Sequence, residues 1–171
     1  EFMNLNLNEL VQQVNGEFAE RFEGRNLDLI CILQPEPLLI RADSRRIWRV
    51  LENLYVNVCK YAMPGTRVYV DAIKKDGKIQ FSIKNISENP LNFQADELTE
   101  RFIRGDVSRS TEGSGLGLSI AKNLTVLQHG TFNIYLDGDL FKVTITFDEA
   151  VKEKKPMSPM IVPEPVQEER R

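Results

Sequence analysis

A chain of 171 residues, 42% hydrophobic and 27% charged, is long enough to bury a core without disulfides or metals to staple it. Its formal net charge of −3 gives no field that would hold nucleic acid or an anionic membrane. No run approaches the roughly 18 apolar residues of a spanning helix, no secretory signal opens the chain, and one histidine excludes His-based metal clusters.

Glu1 and Phe2, ahead of Met3, read as a remnant of cloning, and 3–150 as one domain. Leu7, Leu10, Val11, Val14, Phe18 and Phe22 recur at helical spacing and predict an amphipathic helix over 7–23. The runs 27–33 (LDLICIL) and 38–42 (LLIRA), on either side of Pro35 and Pro37, read as strands. Asp43 is a suitable N-cap for a helix reaching about Ala62, closed by Pro64-Gly65. Two alternating runs, 67–73 and 79–85, flank Asp76-Gly77, a strong hairpin signal.

Residues 86–114 show no sustained period, and a stretch of that length inside a compact domain is usually functional. A helix then runs from about Gly117 to Gln128, with Ile120, Ala121, Leu124 and Leu127 on one face. His129-Gly130 reads as its termination. Strands at 131–136 and 140–147 meet at Asp137-Gly138. Cys31 and Cys59 lie in apolar-patterned segments and suit a reduced compartment. The tail 151–171, with four prolines from Pro156 onward, reads as a disordered tail or linker. About six strands and three helices, with adjacent hairpins, predict an α+β fold: a two-layer α/β sandwich with a mostly antiparallel sheet.

Two places carry chemistry. In 113–124 (GSGLGLSIAKNL), Gly113, Gly115 and Gly117 precede a helix. Free N–H groups and the positive end of the dipole there suit an anion, phosphate first, although a tight turn would use the same glycines. In the 43–62 helix, Asn53, Asn57 and Lys60 fall at i, i+4 and i+7, one line beside the buried stripe of Ile47, Val50, Leu51, Leu54, Val58 and Tyr61. Amide oxygens suit Mg²⁺ and a lysine suits phosphate. An ordinary half-exposed helix, its amides bonded to loop backbone, has the same pattern.

Taken together, these stretches resemble the catalytic ATP-binding domain of sensor histidine kinases, in the superfamily that also holds gyrase B, Hsp90 and MutL. Residues 49–62 (RVLENLYVNVCKYA) are similar to its N box, 100–106 (ERFIRGD) to its F box and 113–122 (GSGLGLSIAK) to its second glycine box, in that order. The resemblance covers about 5–147 and implies a Bergerat-type ATP-binding fold. It implies ATP and Mg²⁺ as ligands, with Asn57 on the metal and Asn53 alongside. Lys60 reaches the phosphates, Tyr61 lines the nucleotide pocket and Thr144 lies near adenine. Residues 86–114 become a lid from which Arg104 approaches the phosphates. The backbone of Gly113, Ser114, Gly115, Leu116 and Gly117 cradles them. It further implies a phosphoacceptor histidine on a helical dimerisation domain outside this chain, a response regulator as second partner, and a cytoplasmic location beneath a membrane-anchored parent.

One box departs from the pattern. Where the family has Asp-x-Gly-x-Gly, this chain has 85–89 (NISEN), so Asn85 stands for the adenine-reading Asp, and Ser87 and Asn89 for the glycines. An amide oxygen still accepts from an amino group, but more weakly than a carboxylate, by about 1–2 kcal/mol. An active kinase with a variant adenine site is expected. The alternatives are a weakly nucleotide-binding regulatory or docking module of the same fold and a serine kinase of the anti-sigma type. Asn53 stands where hydrolytic relatives carry a general-base Glu, and Glu52 points about 100° away around the helix, so hydrolysis to free phosphate is expected to be slow. The fitting nucleophile is an imidazole, and His129 is assigned a structural part at the helix end.

Overall fold

Asn6 closes one element and opens the next. It ends strand β1 (Phe2–Asn6), and its Oδ1 accepts from the Asn8 amide at 3.1 Å, capping helix α1 (Leu7–Gly24). The same oxygen accepts from the Leu38 amide at 3.2 Å, just before β3 (Leu39–Asp43). β1 and β3 pair antiparallel, Phe2 opposite Asp43, so Phe2 is part of this two-stranded sheet. The computed structural model describes residues 1–91 and 116–151.

Helix α2 (Ser44–Tyr61) begins as expected. Asp43 Oδ1 accepts from the amides of Arg45 and Arg46 at 3.0 and 3.1 Å, satisfying two of the N–H groups that a helix start leaves free. It buries Ile47, Val50, Leu51, Leu54, Tyr55, Val58 and Cys59. Tyr55 extends the expected stripe because α1 packs against that side. Its ring stacks 5.7 Å from Phe22, and its hydroxyl donates to Asn15 Oδ1. Tyr61 is only half-buried.

The main sheet has five strands in the order β2-β4-β5-β7-β6. Edge strand β2 (Asp28–Leu33) runs parallel to β4 (Arg67–Lys75). The pairings of β4 with β5 (Lys78–Ile86), β5 with β7 (Leu140–Asp148) and β7 with β6 (Thr131–Asp137) are antiparallel. The β4–β5 turn has Asp76 and Gly77 both at positive φ, 52° and 73°, which matches the twist of a hairpin.

One face of this sheet carries Val68, Val70, Ala72, Ile79, Phe81, Ile83, Phe141, Val143, Ile145 and Phe147, all buried in a single core with α1, α2 and helix α3 (Leu116–Leu127). The α+β two-layer sandwich expected from the sequence is thus the fold. α3 ends with the Gly130 amide donating to Thr125 O at 2.9 Å and with His129 at φ 66°. A Cβ on Gly130 would lie 2.6 Å from the Phe147 ring, so only glycine passes between the helix end and β7.

Candidate nucleotide site

The end of α2 and the end of β5 are joined chiefly by backbone, with the Arg25 side chain bridging them by donating to Ala62 O at 3.0 Å and pairing with Glu88 at 3.6 Å. The Met63 amide donates to Ile86 O and the Glu88 amide to Tyr61 O, both at 2.8 Å, and Ala62 forms a bridge with Ser87. The Ser87 amide donates to Asp139 O at 2.7 Å, tying the same seam to the β6–β7 turn. Every expected site residue that the structure describes, Thr144, Leu116 and Gly117 apart, belongs to one of these two joined elements or to this seam.

Asn85 sits at the strand side of the seam. Strand parity places it with Phe81 and Ile83 on the helix-covered face, opposite Phe141 of β7. It is 3% exposed, and its Oδ1 has no hydrogen-bond partner among the described residues. A buried acceptor left unpaired costs about 1–3 kcal/mol, so such a group is uncommon unless something else is meant to satisfy it. Ser87, 7% exposed, lies two residues on.

On the helix side, Asn53 and Asn57 are half-buried and Lys60 is exposed, along one line of α2 that ends beside Tyr61. Asn53 donates through Nδ2 to Arg49 O at 2.8 Å, leaving its oxygen turned outward. A Cβ built on Gly117 would lie 3.6 Å from that oxygen, so the first turn of α3 rests directly against the polar line. Gly117 therefore meets Asn53, and Leu116 supplies backbone to the same helix start. Arg104, Gly113, Ser114 and Gly115, with most of the expected lid, lie outside the described residues.

Thr144 is not brought to this site, contrary to expectation. It points from the opposite face of the sheet, where its hydroxyl meets that of Ser82 at 3.0 Å. The reason is parity: Phe141, Val143 and Ile145 of β7 take the inner face, which turns Thr144 outward. Phe141 is the β7 residue beside Asn85, and the pairing register that places it there has no signal in the sequence. His129 is held structurally, its ring stacked 6.1 Å from that of Phe2.

The donor set fits a metal–nucleotide ligand. No cluster of three His, Cys, Asp or Glu side chains able to hold a metal ion occurs among the described residues. An amide oxygen such as that of Asn57 would therefore act as one ligand among phosphates and waters, the manner in which Mg²⁺ is commonly held. The unpaired Oδ1 of Asn85 fits a hydrogen-bond donor on the base.

Comparison with known proteins agrees with this geometry. The family described as histidine kinase-, DNA gyrase B-, and HSP90-like ATPase matches residues 42–151. The signal transduction histidine-protein kinase BaeS of Escherichia coli (strain K12) is 30% identical over 123 residues, 71% of this chain and 26% of its own length. Sensor histidine kinase RppB of Synechocystis sp. is 28% identical over 75% of this chain and 29% of its own length, so the chain spans between a quarter and a third of these relatives. Among solved structures, the catalytic domain of histidine kinase ThkA superposes with a TM-score of 0.75 at 26% identity, covering 87% of this chain and 96% of that domain. The same kinase, solved in complex with response regulator protein TrrA, superposes with a TM-score of 0.70 at 25% identity, covering 87% of this chain and 42% of that one. The chain belongs to the histidine kinase-, DNA gyrase B- and HSP90-like ATPase family, within it to the ATP-binding catalytic domains of sensor histidine kinases.

Proposed function

We propose that this chain binds Mg²⁺-ATP between α2 and the end of β5 and delivers the γ-phosphoryl group to a histidine on a separate helical dimerisation domain, for passage to a response regulator. The observation that carries the reading is the buried, unpartnered Oδ1 of Asn85, which accepts from the adenine amino group. Asn57 holds the metal, and Asn53, beside the glycine turn at Gly117, orients the phosphate end. Lys60 supplies a point charge to the phosphates and Tyr61 a wall to the pocket. Arg104 and the amides of Gly113, Ser114, Gly115, Leu116 and Gly117 complete the phosphate cradle. The metal ion neutralises charge on the phosphates when bound. The protein's own share is positioning, since phosphoryl transfer needs little covalent help.

No carboxylate accompanies Asn53 on the polar line to activate water, which favours an imidazole nucleophile over hydrolysis. The solved pairing of ThkA with TrrA supports a response regulator as downstream partner. No helix among the described residues is long and apolar enough to cross a membrane, and a cytoplasmic location under an anchored parent is part of the proposal.

The test is calorimetric titration of the chain with a non-hydrolysable ATP analogue, with and without Mg²⁺. Magnesium-dependent binding is expected, weakened at least about tenfold by Asn57→Asp, because that change alters the ligand set at the metal. Equal affinity in wild type and variant would overturn the metal assignment. No binding up to millimolar analogue by the folded chain would overturn the kinase reading in favour of a regulatory module.

A further inference from the structure

The amide of Asn85 is buried, at 3% exposure, and its Oδ1 has no partner among the described residues. No hydrogen bond joins its Nδ2 to a described residue either, and that nitrogen, unlike Oδ1, is not fully enclosed. Buried amides that serve the fold are normally fixed at both ends, and the bonds then decide which end is oxygen. No described residue fixes this one, so rotation about its Cβ–Cγ bond exchanges a donor for an acceptor at the same point in space without breaking a bond to any of them. A carboxylate at that position could only accept.

Resting on the nucleotide reading above, we propose that the base site is a purine site of relaxed selectivity, accepting both 6-amino and 6-oxo purine triphosphates. With Oδ1 turned to the base, Asn85 accepts from the 6-amino group of adenine. Turned over, Nδ2 donates to the 6-oxo group of hypoxanthine or guanine. Discrimination between the two classes normally rests on leaving a buried polar group unpaired by the wrong base, an effect worth about 10⁴-fold in sites of fixed polarity. Asn85 removes that penalty, because either class satisfies one end of the amide. Among the described residues, the surroundings oppose neither base: Ile83 and Phe141 on the same face are apolar, and the neighbouring Ser87 amide donates to Asp139 O.

The test compares the imidodiphosphate analogues of ATP, ITP and CTP by calorimetry on the wild-type chain with Mg²⁺. ITP isolates the 6-position, since hypoxanthine lacks the 2-amino group of guanine. The expected result is that the ATP and ITP analogues bind within about tenfold of each other, with the CTP analogue at least about tenfold weaker than both. Asn85→Asp, nearly isosteric, is expected to weaken the ITP analogue at least about tenfold relative to the ATP analogue, because a carboxylate repels a 6-oxo group. An ITP analogue more than about a hundredfold weaker than the ATP analogue in the wild type would overturn the proposal and leave the ATP site standing. Equal binding of all three, or an Asp variant with unchanged selectivity, would overturn it as well, since Asn85 would then not read the base. Failure of every analogue to bind would remove the underlying nucleotide reading. The wild-type arm decides the matter even if the variant does not fold.

Discussion

Two buried amides, Gln128 at the end of α3 and Asn85 at the end of β5, are alike in chemistry and opposite in circumstance. Gln128 is 1% exposed and held at both ends: Nε2 donates to Leu124 O at 2.9 Å and Oε1 accepts from the Asp43 amide at 3.0 Å. It thereby binds the end of one helix to the N-cap of another. Asn85 is almost as deeply buried, yet its oxygen is left unpaired by every described residue. On the proposed function, the difference separates a polar group kept for the fold from one kept for a ligand. Burial and the carboxamide group are shared, and the hydrogen-bond partners distinguish them.

Replacing each amide by an apolar residue of similar size sharpens that contrast. Gln128→Leu leaves the Asp43 amide without its acceptor and is expected to destabilise the chain by about 1–3 kcal/mol in urea unfolding, with ATP-analogue affinity unchanged. Asn85→Leu should do the reverse. Analogue affinity falls at least about tenfold while stability stays level or rises by about 1 kcal/mol, since no existing bond is broken. A clear loss of stability in Asn85→Leu would mean that the amide serves the fold after all. Ser82→Ala, on the other sheet face, removes a satisfied hydroxyl pair. It is expected to cost about 0.5–1 kcal/mol without affecting nucleotide binding, which also checks that Thr144 has no part in the site.

The smallest effect concerns Asp43, next to Gln128. The N-terminal ammonium first, then the amides of Arg46 and Arg45, lower its carboxyl from 3.8 to about 2. Its folded-state value is depressed, so the stability it contributes is present above its ordinary value and is lost as the pH falls from about 4 toward 2. Circular dichroism during acid titration should show this limb, and Asp43→Asn, which keeps a capping oxygen, should flatten it.

Helix α2 was largely legible in the sequence, because its cap, most of its apolar stripe and its polar line follow from local spacing around Asp43, Ile47 and Asn53. Asn85 was legible as a position but not as an orphan, since that depends on Phe141 and on a seam made chiefly of backbone. Thr144 was misplaced for a related reason: alternation says that neighbours face opposite ways, but only pairing to β5 says which way is inward. β1 escaped notice because five residues running straight into a helix cap show too little alternation, and their partner strand begins over thirty residues later. Tyr55 joined the core because α1 lies against its side of α2, a tertiary fact absent from the period of α2 alone.

The seam between Tyr61–Met63 and Ile86–Glu88 is built mainly from main-chain hydrogen bonds, with Arg25 the one side chain seen to bridge it among the described residues, so its span depends little on what else flanks it. On the proposed function, it acts as a calliper between the end of the cleft that would meet the base and the end that would meet the metal. Side chains on either jaw other than Glu88, which pairs with the bridging Arg25, can be exchanged without resetting the gap. If Asn85 reads the base as proposed, position 85 is free to trade a carboxylate for an amide, changing which bases are read while the length of nucleotide that fits stays the same.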